Sequence, residues 1–125
     1  MRKLLFIFIL ALFFIGSVSS HPPQDVTGSF NLSDKTLTVE VTHRGGGGTR
    51  HFIDTITITR NGREILKQEI SSQSNDVQPF VYLLPDVEAG DQLAVNVTCN
   101  ISGSRQLNIT VRGSQTPAPA PAPAY

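Results

Sequence analysis

Apolar and polar residues alternate with a period of two through the middle of this chain, and no stretch holds a helical period for as long as three turns. A core can then be built only from strands. Leu37, Val39 and Val41 share one face, while Thr36, Thr38, Glu40 and Thr42 share the other. Leu93, Val95, Val97 and Cys99 form a second apolar stripe, and Leu107, Ile109 and Val111 a third. Phe52, Ile56 and Ile58 read as a fourth stripe, broken by Asp54. Asn61-Gly62 tolerates positive φ at both positions and predicts a type I′ hairpin into a strand over 63–70. Residues 77–84 predict another strand, with Pro79 marking an edge or a bulge, and 26–32 a weaker first one. About seven short strands without a βαβ pattern predict an all-β, immunoglobulin-like sandwich. The paired cysteines and core tryptophan of true immunoglobulin domains are missing, so the expectation concerns architecture alone.

The two ends of the chain obey different rules. Met1-Arg2-Lys3 is followed by an apolar run over 4–15 and by the small residues Gly16-Ser17-Val18-Ser19-Ser20, the pattern of a secretory signal. The run falls short of the roughly 20 residues a spanning helix needs, so no stable membrane span is expected once the signal is cleaved. Cleavage after Ser20 leaves His21 as the N-terminus; cleavage after Ser19 leaves Ser20 ahead of it. From Thr116 onward the chain alternates proline and alanine, which can form no core and reads as an extended spacer. The organisation expected is a signal over 1–20, one domain over 21–115 and a tail over 116–125, in a secreted or cell-surface protein.

Without Arg2 and Lys3, eight basic residues face ten acidic ones with no basic cluster, which gives nucleic-acid binding no support. Cys99 is the only cysteine and cannot form an intramolecular bridge. It is a buried thiol, a link between copies in a homo-oligomer, or a ligand. Four Asn-X-Ser/Thr sequons begin at Asn31, Asn96, Asn100 and Asn108. Each asparagine lies opposite the apolar parity of its strand, where a glycan has room.

The three histidines and the cysteine all fall at strand ends or beside turns. His21 opens the domain as His21-Pro22-Pro23. His43 closes one strand and His51 opens the next, across Arg44, four glycines, Thr49 and Arg50, so chain geometry brings these two together. Cys99 ends a later strand, which strand parity allows to reach the same end of the sandwich. No helix follows the tetraglycine segment, so it reads as a flexible connection and not as a phosphate cradle. Asp54 reads as a strand-face charge, and Arg44 and Arg50 either as solvated loop arginines or as local positive potential for an anion.

The series His43…His51-Phe52-Ile53-Asp54, then Asn61-Gly62-Arg63-Glu64, then Gly90-Asp91…Cys99-Asn100-Ile101-Ser102-Gly103 resembles the iron-binding domain of superoxide reductases, also called desulfoferrodoxins or neelaredoxins. The resemblance covers residues 21–112 and is most specific at His51-Phe52-Ile53 and Cys99-Asn100-Ile101-X-Gly103. It implies an immunoglobulin-like sandwich holding one non-haem iron, with His21, His43 and His51 as equatorial ligands and Cys99 as the axial thiolate. Every histidine and cysteine of the domain is then used. Imidazoles suit a ferrous ion, and a thiolate donates electron density to it. The implied activity is one-electron reduction of superoxide to hydrogen peroxide, with a separate electron donor.

The chain departs from that pattern in three places. Ser102 stands where the family has a fourth histidine, so water, a hydroxyl or the N-terminal amine would have to replace that ligand. No proline follows His43, and the glycine loop is longer than usual. Ser19-Ser20 stand where the family has a Glu-Lys pair, whose lysine is thought to attract superoxide. Two other readings belong beside this one: a non-catalytic surface binding module with the tail as its spacer, and a copper or zinc protein on the same fold.

Overall fold

The computed structural model describes residues 21–113; the expected signal over 1–20 and tail over 116–125 lie outside them. Seven strands run in the order β1 (Asp25–Asn31), β2 (Thr36–Thr42), β3 (Ile53–Arg60), β4 (Arg63–Glu69), β5 (Val77–Leu83), β6 (Gln92–Cys99) and β7 (Ser104–Thr110). All pairings are antiparallel. They form a three-stranded sheet in the order β1-β2-β5 and a four-stranded sheet in the order β4-β3-β6-β7. This is the expected immunoglobulin-like sandwich. No helix among the described residues is long and apolar enough to cross a membrane.

The period-two stripes become the facing surfaces of the two sheets. Leu37, Val39 and Val41 of β2, Ile53, Ile56 and Ile58 of β3, and Leu93, Val95 and Val97 of β6 are essentially fully buried. Burial of each such side chain contributes on the order of 1.5–3 kcal/mol, which makes this layer the main source of stability. Asn61 and Gly62 take φ of 50° and 81°, the backbone of the type I′ turn that joins β3 to β4. Pro79 lies on the edge strand β5, where a missing N–H costs no ladder bond.

One stripe differs from its expected form. The core residue at the start of β3 is Ile53, with Phe52 only half-buried outside the strand. A bulge causes this. The pairing of β3 with β6 slips between Ile53 and Thr55, leaving Asp54 as the extra residue and changing the inward parity.

Because every neighbouring pair is antiparallel, β2 and β6 finish, and β3 and β7 start, at one end of the sandwich. The segment leading into β1 and the link from β4 to β5 reach that end as well. His43 continues the inward parity of Leu37, Val39 and Val41, and Cys99 that of Leu93, Val95 and Val97. Both are therefore the last layer of the core, not surface residues.

Candidate metal centre

His43 is wholly buried and its polar groups are accounted for one by one. Its backbone N–H donates to the carbonyl of Asp76 at 2.7 Å. Gln73, 3 % exposed, donates from Nε2 to the carbonyl of His43 at 2.7 Å and presents Oε1 to His43 Nδ1, also at 2.7 Å. With the amide nitrogen committed to the carbonyl, the amide oxygen must accept, so Nδ1 carries the imidazole proton. That leaves Nε2 as a bare lone pair, and this atom is buried without a hydrogen-bond partner. An orphaned buried acceptor costs roughly 1–3 kcal/mol unless something else meets it.

His51 follows the same logic more loosely. Its Nδ1 donates to the carbonyl of Gly45 at 3.3 Å, so its Nε2 lone pair is directed at Cys99 Sγ, 3.1 Å away. The thiol proton lies between them, and a metal ion would take its place. One ligand atom from each of His43, His51 and Cys99 lies within 4.8 Å of the others, so this group can hold a metal ion. A buried imidazole, a half-buried one and a buried thiol thus meet at the end of the core.

The loop that joins the two histidines is more ordered than a flexible connection. Gly48 and Gln73 exchange backbone hydrogen bonds at 2.9 and 3.0 Å, and the N–H of Gly47 donates to the carbonyl of His51 at 2.6 Å. Gly46 lies against the His43 ring: a Cβ there would sit 2.8 Å from the His51 carbonyl oxygen and 3.0 Å from His43 Nδ1. The glycines serve close approach and pairing across to the link between β4 and β5.

Asn100, immediately after Cys99, holds the other side of His51. Its Oδ1 accepts the N–H of Phe52 at 2.9 Å, its Nδ2 donates to the carbonyl of Arg50 at 3.1 Å, and its own N–H donates to the carbonyl of Phe52 at 3.0 Å. The peptide units on both sides of His51 are thereby fastened to the strand that carries Cys99. As a sequon, Asn100 differs from Asn31, Asn96 and Asn108, which lie on the outer parity of their strands.

His21 stands beside the group but outside its set of mutually close ligand atoms. Its ring centroid lies 5.7 Å from that of His51 and 6.2 Å from that of His43, while the His43 and His51 centroids are 4.6 Å apart. Its Nδ1 is buried without a hydrogen-bond partner. Ser102, expected as a replacement ligand position, is exposed in the turn between Cys99 and β7. Gly103 closes that turn with φ of 84°, and its missing Cβ makes room for Pro22, whose atoms would lie 2.9–3.0 Å from one. Asp54 Oδ1 is buried and unpartnered, yet Asp54 is not among the clustered ligands.

Sequence reasoning missed Gln73 and the clamp made by Asn100. Gln73 lies in the polar run Ser71-Ser72-Gln73-Ser74-Asn75, which reads as solvated loop and carries no periodic signal. Asn100 was visible as the neighbour of Cys99, though not as the residue that fixes His51.

No protein-family model matches the sequence, and no curated protein matches it. Among solved structures, the fold is similar to that of a hypothetical protein from Pyrococcus horikoshii OT3. That structure is 12 % identical with a TM-score of 0.50, over 74 % of this chain and 90 % of the other. At that identity the likeness is one of fold.

Proposed function

We propose that this domain is an exported mononuclear iron protein of the superoxide reductase type. The observation that carries the proposal is the bare, buried Nε2 of His43 beside the His51–Cys99 pair, a mixed imidazole and thiolate donor set with its histidine tautomers fixed from outside. The order and neighbours of His21, His43, His51 and Cys99 along the chain support iron, because they follow the motifs of that family. Iron held there would supply the one electron that, with two protons from solvent, takes superoxide to hydrogen peroxide, and a separate donor would replace that electron.

The residues of the chain bind, orient and attract. Gln73 keeps the proton of His43 on Nδ1, and Gly45 keeps that of His51 on Nδ1, so both Nε2 atoms are available. Cys99 provides a thiolate from the core side, away from water. Arg44 and Arg50 are exposed at the two ends of the glycine loop, and among the described residues the one ion pair is Arg60–Asp91. Their charges are not spent on an acid and draw a small anion toward this end of the sandwich.

The second reading is a copper protein, favoured by one observation: the mutually close donors are two histidines and one cysteine, the trigonal set that suits copper electron-transfer sites. Metal analysis after anaerobic purification, with an absorption spectrum before and after Cys99→Ser, separates the two. Stoichiometric iron with a ferric–thiolate band supports the first and copper the second, while absence of metal rejects both. Rapid mixing with superoxide then tests turnover, and a rate no better than free iron rejects the reductase.

A further inference from the structure

Residues 22–24, which follow His21, are pinned firmly to the sandwich. Pro23 is fully buried, and Pro22 packs against the space left by Gly103. Gln24 donates its backbone N–H to the carbonyl of Thr42 at 2.9 Å, and its Oε1 accepts the N–H of Arg44 at 2.7 Å. Two prolines with fixed φ separate this anchor from His21, which keeps the histidine beside the cluster. On its far side, the Nε2 edge of the ring lies against Gly45, 3.8 Å from where a Cβ would stand. Nδ1, the nitrogen nearer the residue's own backbone, is buried without a partner.

Two histidine nitrogens at this end of the sandwich are thus buried and unsatisfied, His21 Nδ1 and His43 Nε2. Nδ1 and the α-nitrogen of one histidine can close a chelate ring on a single ion. In the uncleaved chain that nitrogen is an amide, whose lone pair is delocalised into the carbonyl and does not bind metal at neutral pH.

We propose that removal of the leader completes the metal centre, because it frees the α-amine of His21 to chelate the same ion as His21 Nδ1, His43, His51 and Cys99. The inference rests on the metal-binding reading above. Hydrolysis of the Ser20–His21 bond consumes one water, leaves a carboxylate on Ser20 and an ammonium on His21, and that ammonium gives its proton to solvent as the metal binds. The amine takes the place that the sequence leaves without a histidine at Ser102. Export and metal loading become one ordered event, with the site incomplete until the leader is gone.

The test compares three forms of the mature protein: one beginning at His21, one carrying Ser20 ahead of it, and one N-acetylated at His21. Each is titrated with Co(II) alone, and the dissociation constant and the thiolate-to-metal band are read. The form beginning at His21 binds tighter than the other two by at least about tenfold, the scale on which even outer-shell partners act. Equal constants and bands in all three forms overturn the chelate while leaving the His/Cys centre standing. No binding in any form overturns both. Unchanged affinity when His43→Ala and Cys99→Ser are introduced into the His21 form also overturns the proposal, because the terminus would then bind metal unaided. N-terminal sequencing of the secreted protein gives His21; a start at Ser20 or beyond His21 refutes the coupling.

Discussion

Gln73 and His43 exchange two hydrogen bonds of 2.7 Å, one from the imidazole Nδ1 to the amide oxygen and one from the amide nitrogen to the backbone carbonyl. The pair fixes both the ring and the tautomer of a buried histidine, using a residue from a link that otherwise reads as loop.

Gln73→Leu removes the acceptor for Nδ1 and lets the proton move to Nε2. Metal affinity is expected to fall about 10- to 100-fold, as for other outer-shell partners. Gln73→Glu keeps an acceptor and recovers much of that loss. Competition titration of the two variants checks this, and equal losses would show that Gln73 acts only by filling space.

Cys99→Ser replaces the thiolate with a poor ligand of similar size. The thiolate-to-metal absorption band disappears while the fold survives, because the side chain is small and lies at the end of the core stripe. Circular dichroism and the metal spectrum, recorded on the same sample, separate the two effects.

Gly46→Ala places a methyl group against the His51 carbonyl and the His43 ring. The loop must shift, and metal affinity falls more than stability does. Gly47→Ala meets no neighbouring atom, although its φ of 150° strains any side chain. Gly47→Ala therefore costs stability with little change in affinity, and the contrast between the two is the measurement.

Asn100→Ala leaves the N–H of Phe52 and the carbonyl of Arg50 without their partner, at a cost of about 1–3 kcal/mol for each group that water cannot reach. Asn100→Asp keeps the acceptor and loses the donor, so its destabilisation is smaller. Denaturant midpoints of the two variants give the order.

Burial pushes the Tyr82 phenol up to about 12 from its ordinary value of 10.0. Its hydroxyl donates to Gln68 Oε1 at 2.6 Å, joining β5 to β4 across the open side of the sandwich. Between those two values the unfolded chain has lost a proton that the folded one keeps. Stability therefore falls as pH rises from about 10 toward 12, the unfolded state binding fewer protons. Tyr82→Phe removes that slope, which unfolding curves at several alkaline pH values would reveal.

The strands were legible because an antiparallel sandwich needs one apolar residue in two, and Leu37 to Val41 or Leu93 to Cys99 show that pattern without interruption. The parity of Phe52 was misread because a bulge is a property of a strand pair, and nothing in the residues around Asp54 marks one. His43, His51 and Cys99 could be placed at one end from strand direction, but their hydrogen-bond partners could not. Gln73 is brought to His43 by a β-bridge with a glycine 25 positions earlier in the chain, Gly48, and such a pairing leaves no local trace. Asn100 follows its ligand directly and still hid its role, since a sequon and a clamp are spelled with the same residue.

His43 and Cys99 occupy the last rung of the inward stripes that run along β2 and β6, on opposite sheets. An ion shared by β2, β3 and β6 would act as a rivet between the layers. The metal-free protein would then fray from this end first, and amide exchange at Val41 and Val97 would report metal occupancy from within the sandwich, with no need to observe the ion itself.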